Sequence, residues 1–267
     1  RFWHKLLFDL GYLSTSEPFQ TLFNQGMILG EDGVKMSKSR GNVINPDDVI
    51  EKFGADSMRL FEMFMGPLEA TKPWSTEGLA GMNRFLNRVW RLVVDEFSDE
   101  LKSNISDAPP PLEIMKLLHR TIKMITEDIE DGDMKFNTSI AQMMIFVNEL
   151  YKEKILYKSV LKDFVLLLSP FAPHIAEELW QRLGGEDTLA YHPWPIYKEE
   201  LTKADKITIV FSVNGKVRGK KEMYSNSTDK DLQQAALNDE NIIKHIQGKQ
   251  IIKIIVVKNK MVNIVIK

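Results

Sequence analysis

There is no cysteine in this sequence. That absence excludes disulfides and thiolate metal sites, and with them the small secreted folds that depend on covalent staples. Histidine is scarce too: five residues lie scattered, with none of the close spacings of a zinc site, so no metal ligands are read. Long apolar runs are also missing. Stretches such as Phe164 to Leu168 and Ile251 to Val257 fall far short of the roughly 20 residues a membrane helix needs. No leader-type segment is read at the start, and Arg1 opens in the middle of a helix-like pattern, as in a truncated chain. The expectation is a soluble cytoplasmic protein with no membrane partner.

What is present is ordinary globular composition: 267 residues, 43% hydrophobic and 27% charged, enough for one large domain or two to three small ones. Net charge is only −2, but it is unevenly spread. Residues 1 to 78 carry 8 Lys/Arg against 11 Asp/Glu, and residues 79 to 205 carry 15 against 21. Residues 206 to 267 carry 12 against 5, a balance of +7. A small basic module on a slightly acidic body fits a partner that is a polyanion, and it fits a lysine-rich solvated surface equally well.

Phe2, Leu6, Leu7, Leu10 and Leu13 recur at helical spacing and predict a helix over Arg1 to Leu13. Thr21 to Leu29 reads as a short buried strand, with turn chemistry at Gly30-Glu31-Asp32-Gly33 and a hairpin-like return at Val34. Asn45-Pro46-Asp47-Asp48 starts a helix that Gly54 ends, and Ala55 to Met65 resumes helical periodicity until Gly66-Pro67. Gly81 to Phe97, Leu112 to Ile129, Asn137 to Leu156 and Ser159 to Leu183 then read as four antiparallel bundle helices. Residues 184 to 205 read as a wrap-around linker. Beyond them, Ile207 to Val213 and Lys216 to Met223 flank Asn214-Gly215, a strong hairpin signal. Asp229 to Ile246 is helical, and Ile251 to Val257 pairs with Met261 to Ile266 around Lys258-Asn259-Lys260, which makes a small ββαββ domain.

Lys35-Met36-Ser37-Lys38-Ser39-Arg40-Gly41-Asn42 carries the chemistry. Two ammonium groups three residues apart, among hydroxyls and ahead of a glycine, make a flexible cationic loop able to close on a triphosphate. Taken alone, such a loop is more often a solvated basic turn. The whole string, however, resembles the KMSKS signature of class I aminoacyl-tRNA synthetases. Its flanks are similar too: Gln25-Gly26-Met27-Ile28-Leu29 and Asp32-Gly33 before it, and Gly41 to Pro46 with Gly54-Ala55-Asp56 after it. Ser169-Pro170-Phe171-Ala172-Pro173-His174-Ile175-Ala176-Glu177-Glu178-Leu179-Trp180 looks like the last bundle helix of the leucine, isoleucine and valine enzymes. Val213-Asn214-Gly215-Lys216-Val217-Arg218-Gly219 resembles the C-terminal domain of bacterial-type leucyl-tRNA synthetases.

The resemblance covers essentially the whole chain. It implies a multidomain, mainly α protein: residues 1–78 end a Rossmann-type catalytic domain with the KMSKS loop and stem-contact region, and residues 79–183 form an anticodon-binding-type helix bundle. After a linker at 184–205, residues 206–267 form a small α+β domain that contacts the tRNA elbow. It also implies a leucine-tRNA ligase component acting on ATP, with Mg2+ accompanying the nucleotide, leucine and tRNA(Leu). Catalytic Lys38, assisted by Lys35, would meet the ATP phosphates, with Met36, Ser37 and Ser39 completing the ATP-binding loop. Arg84 and Arg88, and Lys216, Arg218, Lys220 and Lys221 beyond the Asn-Gly turn, are the tRNA-binding candidates. Each of these also reads as an ion-pairing or solvated side chain. His174 reads as a helix-start hydrogen-bonding group and not as a catalyst.

The family's HIGH-type motif, amino-acid pocket and editing domain are absent from these residues, so activity is expected only together with a catalytic part. That part is either a separate subunit or the remainder of a longer enzyme. Two other readings stand beside this one. The chain is a non-catalytic tRNA-binding module with a vestigial loop, or it belongs to an isoleucine or valine enzyme. The lack of zinc-ligand cysteines and the Val213 to Gly219 string speak against the latter.

Overall fold

In the computed structural model, the side chains of Asn45, Ser75, Thr228 and Asp239 each cap the start of a helix. All residues are described except 131, 133, 204, 205, 225, 226 and 259, with Lys206 described by its backbone alone. The chain divides into two compact units, Arg1–Tyr197 and Lys198–Lys267.

The first unit opens with α1 (Phe2–Asp9), which is shorter than the predicted Arg1 to Leu13 because the chain turns at Leu10 and Gly11. None of its residues is buried. Of the strand predicted over Thr21 to Leu29, only β1 (Ile28–Leu29) forms, while Leu22 stays 82% exposed. The hairpin return at Val34 does not form. Gly30 N–H donates to the Val34 carbonyl at 2.8 Å and closes a tight turn, so β1 finds its partner further along the chain. Next come α2 (Pro46–Phe53), with Asn45 accepting from Asp47 N–H at 3.2 Å and Pro46 in the first turn, and α3 (Ala55–Phe64). The partner of β1 is β2 (Lys72–Pro73), aligned parallel to it. Gly26, just ahead of β1, lies so close to this segment that a Cβ there would stand 2.2 Å from the Ala70 carbonyl oxygen. Only glycine permits that approach.

Ser75 caps α4 (Thr76–Val93), which buries Leu79, Met82, Phe85, Leu86, Val89, Leu92 and Val93, the three-four spacing of an amphipathic helix. After β3 (Ile105–Ser106) come α5 (Leu112–Glu130) and α6 (Phe136–Leu150). The chain then runs through β4 (Leu156–Tyr157), parallel to β3, into α7 (Lys158–Leu168) and α8 (Pro173–Arg182). The single helix predicted over Ser159 to Leu183 is thus two helices. The first ends at Leu168, just ahead of Pro170, and Pro173, whose missing N–H is no loss in a first turn, starts the next. The stacked rings of Phe146 and Phe164, centroids 5.1 Å apart, lie in the shared core of the unit.

That core is continuous from Val49 to Leu189. Leu60 and Phe61 of α3 lie in it beside the bundle helices, so the expected boundary at 78/79 falls inside one packed interior. The segment after α8 also belongs to this unit. Leu189 is buried, Trp180 Nε1 donates to the Asp187 carbonyl at 3.0 Å, and Trp194 Nε1 donates to Thr126 Oγ1 at 2.9 Å. The wrap-around stretch therefore packs on α5 and α8 as far as Tyr197, while residues 204 and 205 at its expected end lie outside the described residues.

The second unit starts with the short α9 (Glu199–Thr202), followed by β5 (Lys206–Val213) and β6 (Lys216–Tyr224). Asn214 and Gly215, at φ +47° and +80°, close the predicted hairpin in the doubly left-handed form that the strand twist favours. The predicted Asp229 to Ile246 helix is two, α10 (Asp229–Leu237) and α11 (Glu240–Ile246). Asp239 interrupts it by capping Asn241 and Ile242 N–H at 3.0 and 3.2 Å. Last are β7 (Ile251–Val257) and β8 (Met261–Ile266), and the turn between them includes residue 259, outside the described set. The sheet order is β6-β5-β8-β7, with β5 parallel to β8 and both hairpins antiparallel. Ile209, Phe211, Val213, Val262, Ile264 and Ile266 alternate onto the face that packs Leu232, Ala236 and Ile242 of the two helices. No helix among the described residues is long and apolar enough to cross a membrane.

Candidate functional site

Sequence reasoning singled out residues 35 to 39, and the structure shows what holds them. The loop leaves the Gly30–Gly33 turn, half-buries Met36 against the core of the first unit, and enters a short 3-10 turn at Lys38–Arg40 that Gly41 ends at φ +67°. Lys35 and Lys38 are exposed, and the Ser37 and Ser39 hydroxyls are 3.2 Å apart. The organiser is Asn42. Its side-chain oxygen accepts from Ser37 N–H at 2.9 Å, and its amide nitrogen donates to the Asp32 carboxylate at 3.2 and 3.3 Å. Asp32 also accepts from Val34 N–H at 3.1 Å. These bonds, the backbone one first, hold the Asp32 carboxyl below its ordinary range. The chemical result is a pair of exposed ammonium groups on a loop with a braced base, suited to stabilising charge that develops on phosphate oxygens.

Among the candidates for RNA contact, the two arginines of α4 differ. Arg84 is exposed. Arg88, one turn on, donates to Asn148 Oδ1 at 2.8 Å and stacks 4.9 Å over the Tyr151 ring, whose hydroxyl donates back to the Arg88 carbonyl at 2.7 Å. Arg88 therefore also ties α4 to the end of α6.

In the second unit, Lys216, Arg218, Lys220 and Lys221 are all exposed, but they do not form one patch. Lys221 pairs with Ile209, on the side the helices cover, and Lys220 pairs with Val210 on the opposite side. Arg218 is the extra residue of a bulge between the Phe211–Gly219 and Ser212–Val217 pairs. Lys216 closes the hairpin opposite Val213.

His174 stands at the start of α8, where its Nδ1 lies 2.8 Å from the buried carboxylate of Asp56. No group of three or more His, Cys, Asp or Glu that could hold a metal is present among the described residues.

Residues 1–72 match the family described as tRNA synthetases class I (I, L, M and V). Residues 112–234 match the anticodon-binding domain of tRNA ligase, a match that runs from α5 across the junction of the two units into α10. Among solved structures, the chain is similar to the leucyl-tRNA synthetase of Agrobacterium radiobacter K84 in its ternary complex with tRNA and LeuAMS. The two are 32% identical with a TM-score of 0.74, over 100% of this chain and 36% of that one.

The chain belongs to the class I aminoacyl-tRNA synthetases. It corresponds to a C-terminal portion of a leucyl-type enzyme and spans about a third of the length of the relative it matches, 36%. In this synthetase chain, the residues that sequence reasoning passed over are the ones that brace others. Asp32-Gly33 and Gly41-Asn42 were visible only as flanks of the signature, and nothing in their spacing shows that Asp32 and Asn42 meet. Asp56 and Arg59 are a further example. Arg59 donates to the Pro170 and Phe171 carbonyls at 2.8 and 3.3 Å, so α3 grips the α7–α8 corner through side chains more than 100 residues away in sequence.

Proposed function

We propose that this chain is the part of a leucine-tRNA ligase that supplies the ATP-phosphate loop and the tRNA-docking surfaces. The observation that carries the reading is the loop itself, two exposed lysines three residues apart on a base braced by Asn42. In the reaction the leucine carboxylate attacks the α-phosphorus of ATP, the bond to the leaving pyrophosphate breaks, and negative charge builds on the departing oxygens. Lys38 meets that charge, with Lys35 assisting and the loop amides and serine hydroxyls as further donors. Magnesium enters with the nucleotide. Adenine, leucine and the HIGH-type contacts come from the catalytic portion outside these residues, and this chain alone forms no adenylate. Leucine, more than isoleucine or valine, is favoured by the leucyl-type structural likeness and by the Val213 to Gly219 string.

The test is leucine-dependent ATP–pyrophosphate exchange by the complete enzyme with Lys38→Ala. Removing one such donor is expected to slow exchange by about 10² to 10³ while tRNA binding is kept. Unchanged exchange would assign the chain a purely RNA-binding role, and a charging assay across the three amino acids decides the specificity.

A further inference from the structure

The turn that precedes the loop sends its two neighbouring carboxylates in different directions. Glu31 accepts from the Thr76 backbone N–H at 3.0 Å and from the Thr76 hydroxyl at 2.6 Å, so it binds the first residue of α4. Trp74, buried in the core, donates its ring N–H to the same Thr76 oxygen at 3.3 Å. Glu31 is thereby tied to the rigid bundle. Asp32 faces the loop and takes the amide of Asn42, which in turn accepts from Ser37, the residue just before Lys38. Gly30 leaves room for the closure: a Cβ there would stand 2.7 Å from Asp32 Oδ1 and 3.0 Å from Asn42 Nδ2. A continuous line of bonds therefore runs from the start of α4 through Thr76, Glu31, Asp32, Asn42 and Ser37 to Lys38.

We propose that Asp32 and Asn42, anchored through Glu31 to α4, are positioning residues that set where Lys38 stands before it meets the ATP phosphates. The proposal rests on the reading of Lys38 as the phosphate contact. Physical reason favours a clasp of this kind. A lysine on a free loop samples many positions, and a misplacement of about 1 Å costs on the order of 10² in rate. The Asp32–Asn42 and Glu31–Thr76 bonds are exposed, so each contributes little to global stability, and their effect falls on geometry.

The experiment uses the complete enzyme in ATP–pyrophosphate exchange, with kcat, the KM values for ATP and leucine, and the melting temperature measured for each variant. Asn42→Asp places two carboxylates against each other and opens the clasp. It is expected to lower kcat about tenfold or more, with the KM for leucine and the melting temperature unchanged. Asp32→Asn combined with Asn42→Asp reverses the polarity of the same bond while leaving acceptors for Val34 and Ser37. It is expected to recover most of the loss. Glu31→Ala should lower kcat in the same sense by freeing the turn from α4.

Lys38→Ala serves as the reference. If it cripples exchange while Asn42→Asp does not, the clasp is overturned and the phosphate role of the loop survives. If neither matters, both fall. Failure of the double variant to recover, or a melting temperature that falls with kcat, overturns the clasp by showing that Asn42 acts outside this bond or only through the fold.

Discussion

Asp56 on α3 accepts Ile175 N–H at 2.8 Å through one carboxylate oxygen and meets His174 Nδ1 at 2.8 Å through the other. The carboxylate also lies 3.4 Å from His174 N–H, so it caps the first turn of α8 from a different helix. Its side chain is 10% exposed, whereas that of His174 is 74% exposed. Asp56→Ala, which leaves these amides without their acceptor, is expected to cost about 2 kcal/mol and several degrees of melting temperature. His174→Ala removes only an exposed partner and is expected to cost under about 1 kcal/mol. Thermal denaturation of both variants checks the order, and equal losses would show that the amide cap is not the source of stability.

Two glycines in the first unit should respond oppositely to a methyl group. At Gly26 the added carbon meets the Ala70 carbonyl oxygen at 2.2 Å, and Gly26→Ala is expected to cost about 3 kcal/mol as β1 and β2 are pushed apart. At Gly81, within α4, the nearest atom is the end of the Arg84 side chain at 3.7 Å. Gly81→Ala is expected to gain about 0.5–1 kcal/mol through helix propensity and reduced freedom of the unfolded chain. Chemical denaturation at constant m-value reads both signs.

Asp163 on α7 is half-buried, and desolvation raises its pKa above the ordinary 3.8. A carboxyl with a raised folded-state value holds its proton more tightly folded than unfolded, so at neutral pH its charged form costs stability; the cost fades as pH falls through the raised folded value and is gone below the ordinary one. Asp163→Asn is therefore expected to raise the melting temperature at pH 7 by about 1–3 °C, and to give no gain near pH 3. A gain that stays constant with pH would assign the effect to packing instead.

If the second unit docks RNA through phosphates, its affinity should fall steeply with salt. About three neutralised phosphates, from Lys216, Arg218 and one of Lys220 and Lys221, predict a log–log slope of roughly −2 to −3. Lys220 and Lys221 lie on opposite sides of β6, so one RNA surface is not expected to engage both. Of Lys220→Ala and Lys221→Ala, one should make the slope shallower by about one and the other should leave it unchanged. Salt titration of tRNA binding by the three proteins measures this, and equal changes would place the RNA along the strand edge where both reach it.

Local chemistry made much of the fold legible in advance. Asn45-Pro46, the Asn214-Gly215 turn and the apolar spacing of α4 to α6 each carry their own reason for forming, within a few residues of one another. Predictions failed where a distant segment outcompeted the local signal. Thr21 to Leu29 has strand-like texture, but only Ile28 and Leu29 form a strand, beside Lys72 and Pro73, more than 40 residues on. Long helices over Ser159 to Leu183 and Asp229 to Ile246 were drawn through Pro173 and Asp239, although both residues are strong helix starters.

What the sequence determined by itself is the class of the protein and the identity of its candidate reactive loop, because Lys35 to Asn42 is a contiguous string whose chemistry is set by residue type and order. Only the tertiary structure decided that Asn42 closes on Asp32, that Glu31 is tied to α4, that α3 shares the bundle core and grips the α7–α8 corner, and that Lys220 and Lys221 diverge. The reason is physical. Residue type specifies what a group can do, whereas long-range hydrogen bonds and strand register depend on which segments pack together to bury the most apolar surface, and that outcome is a property of the whole chain.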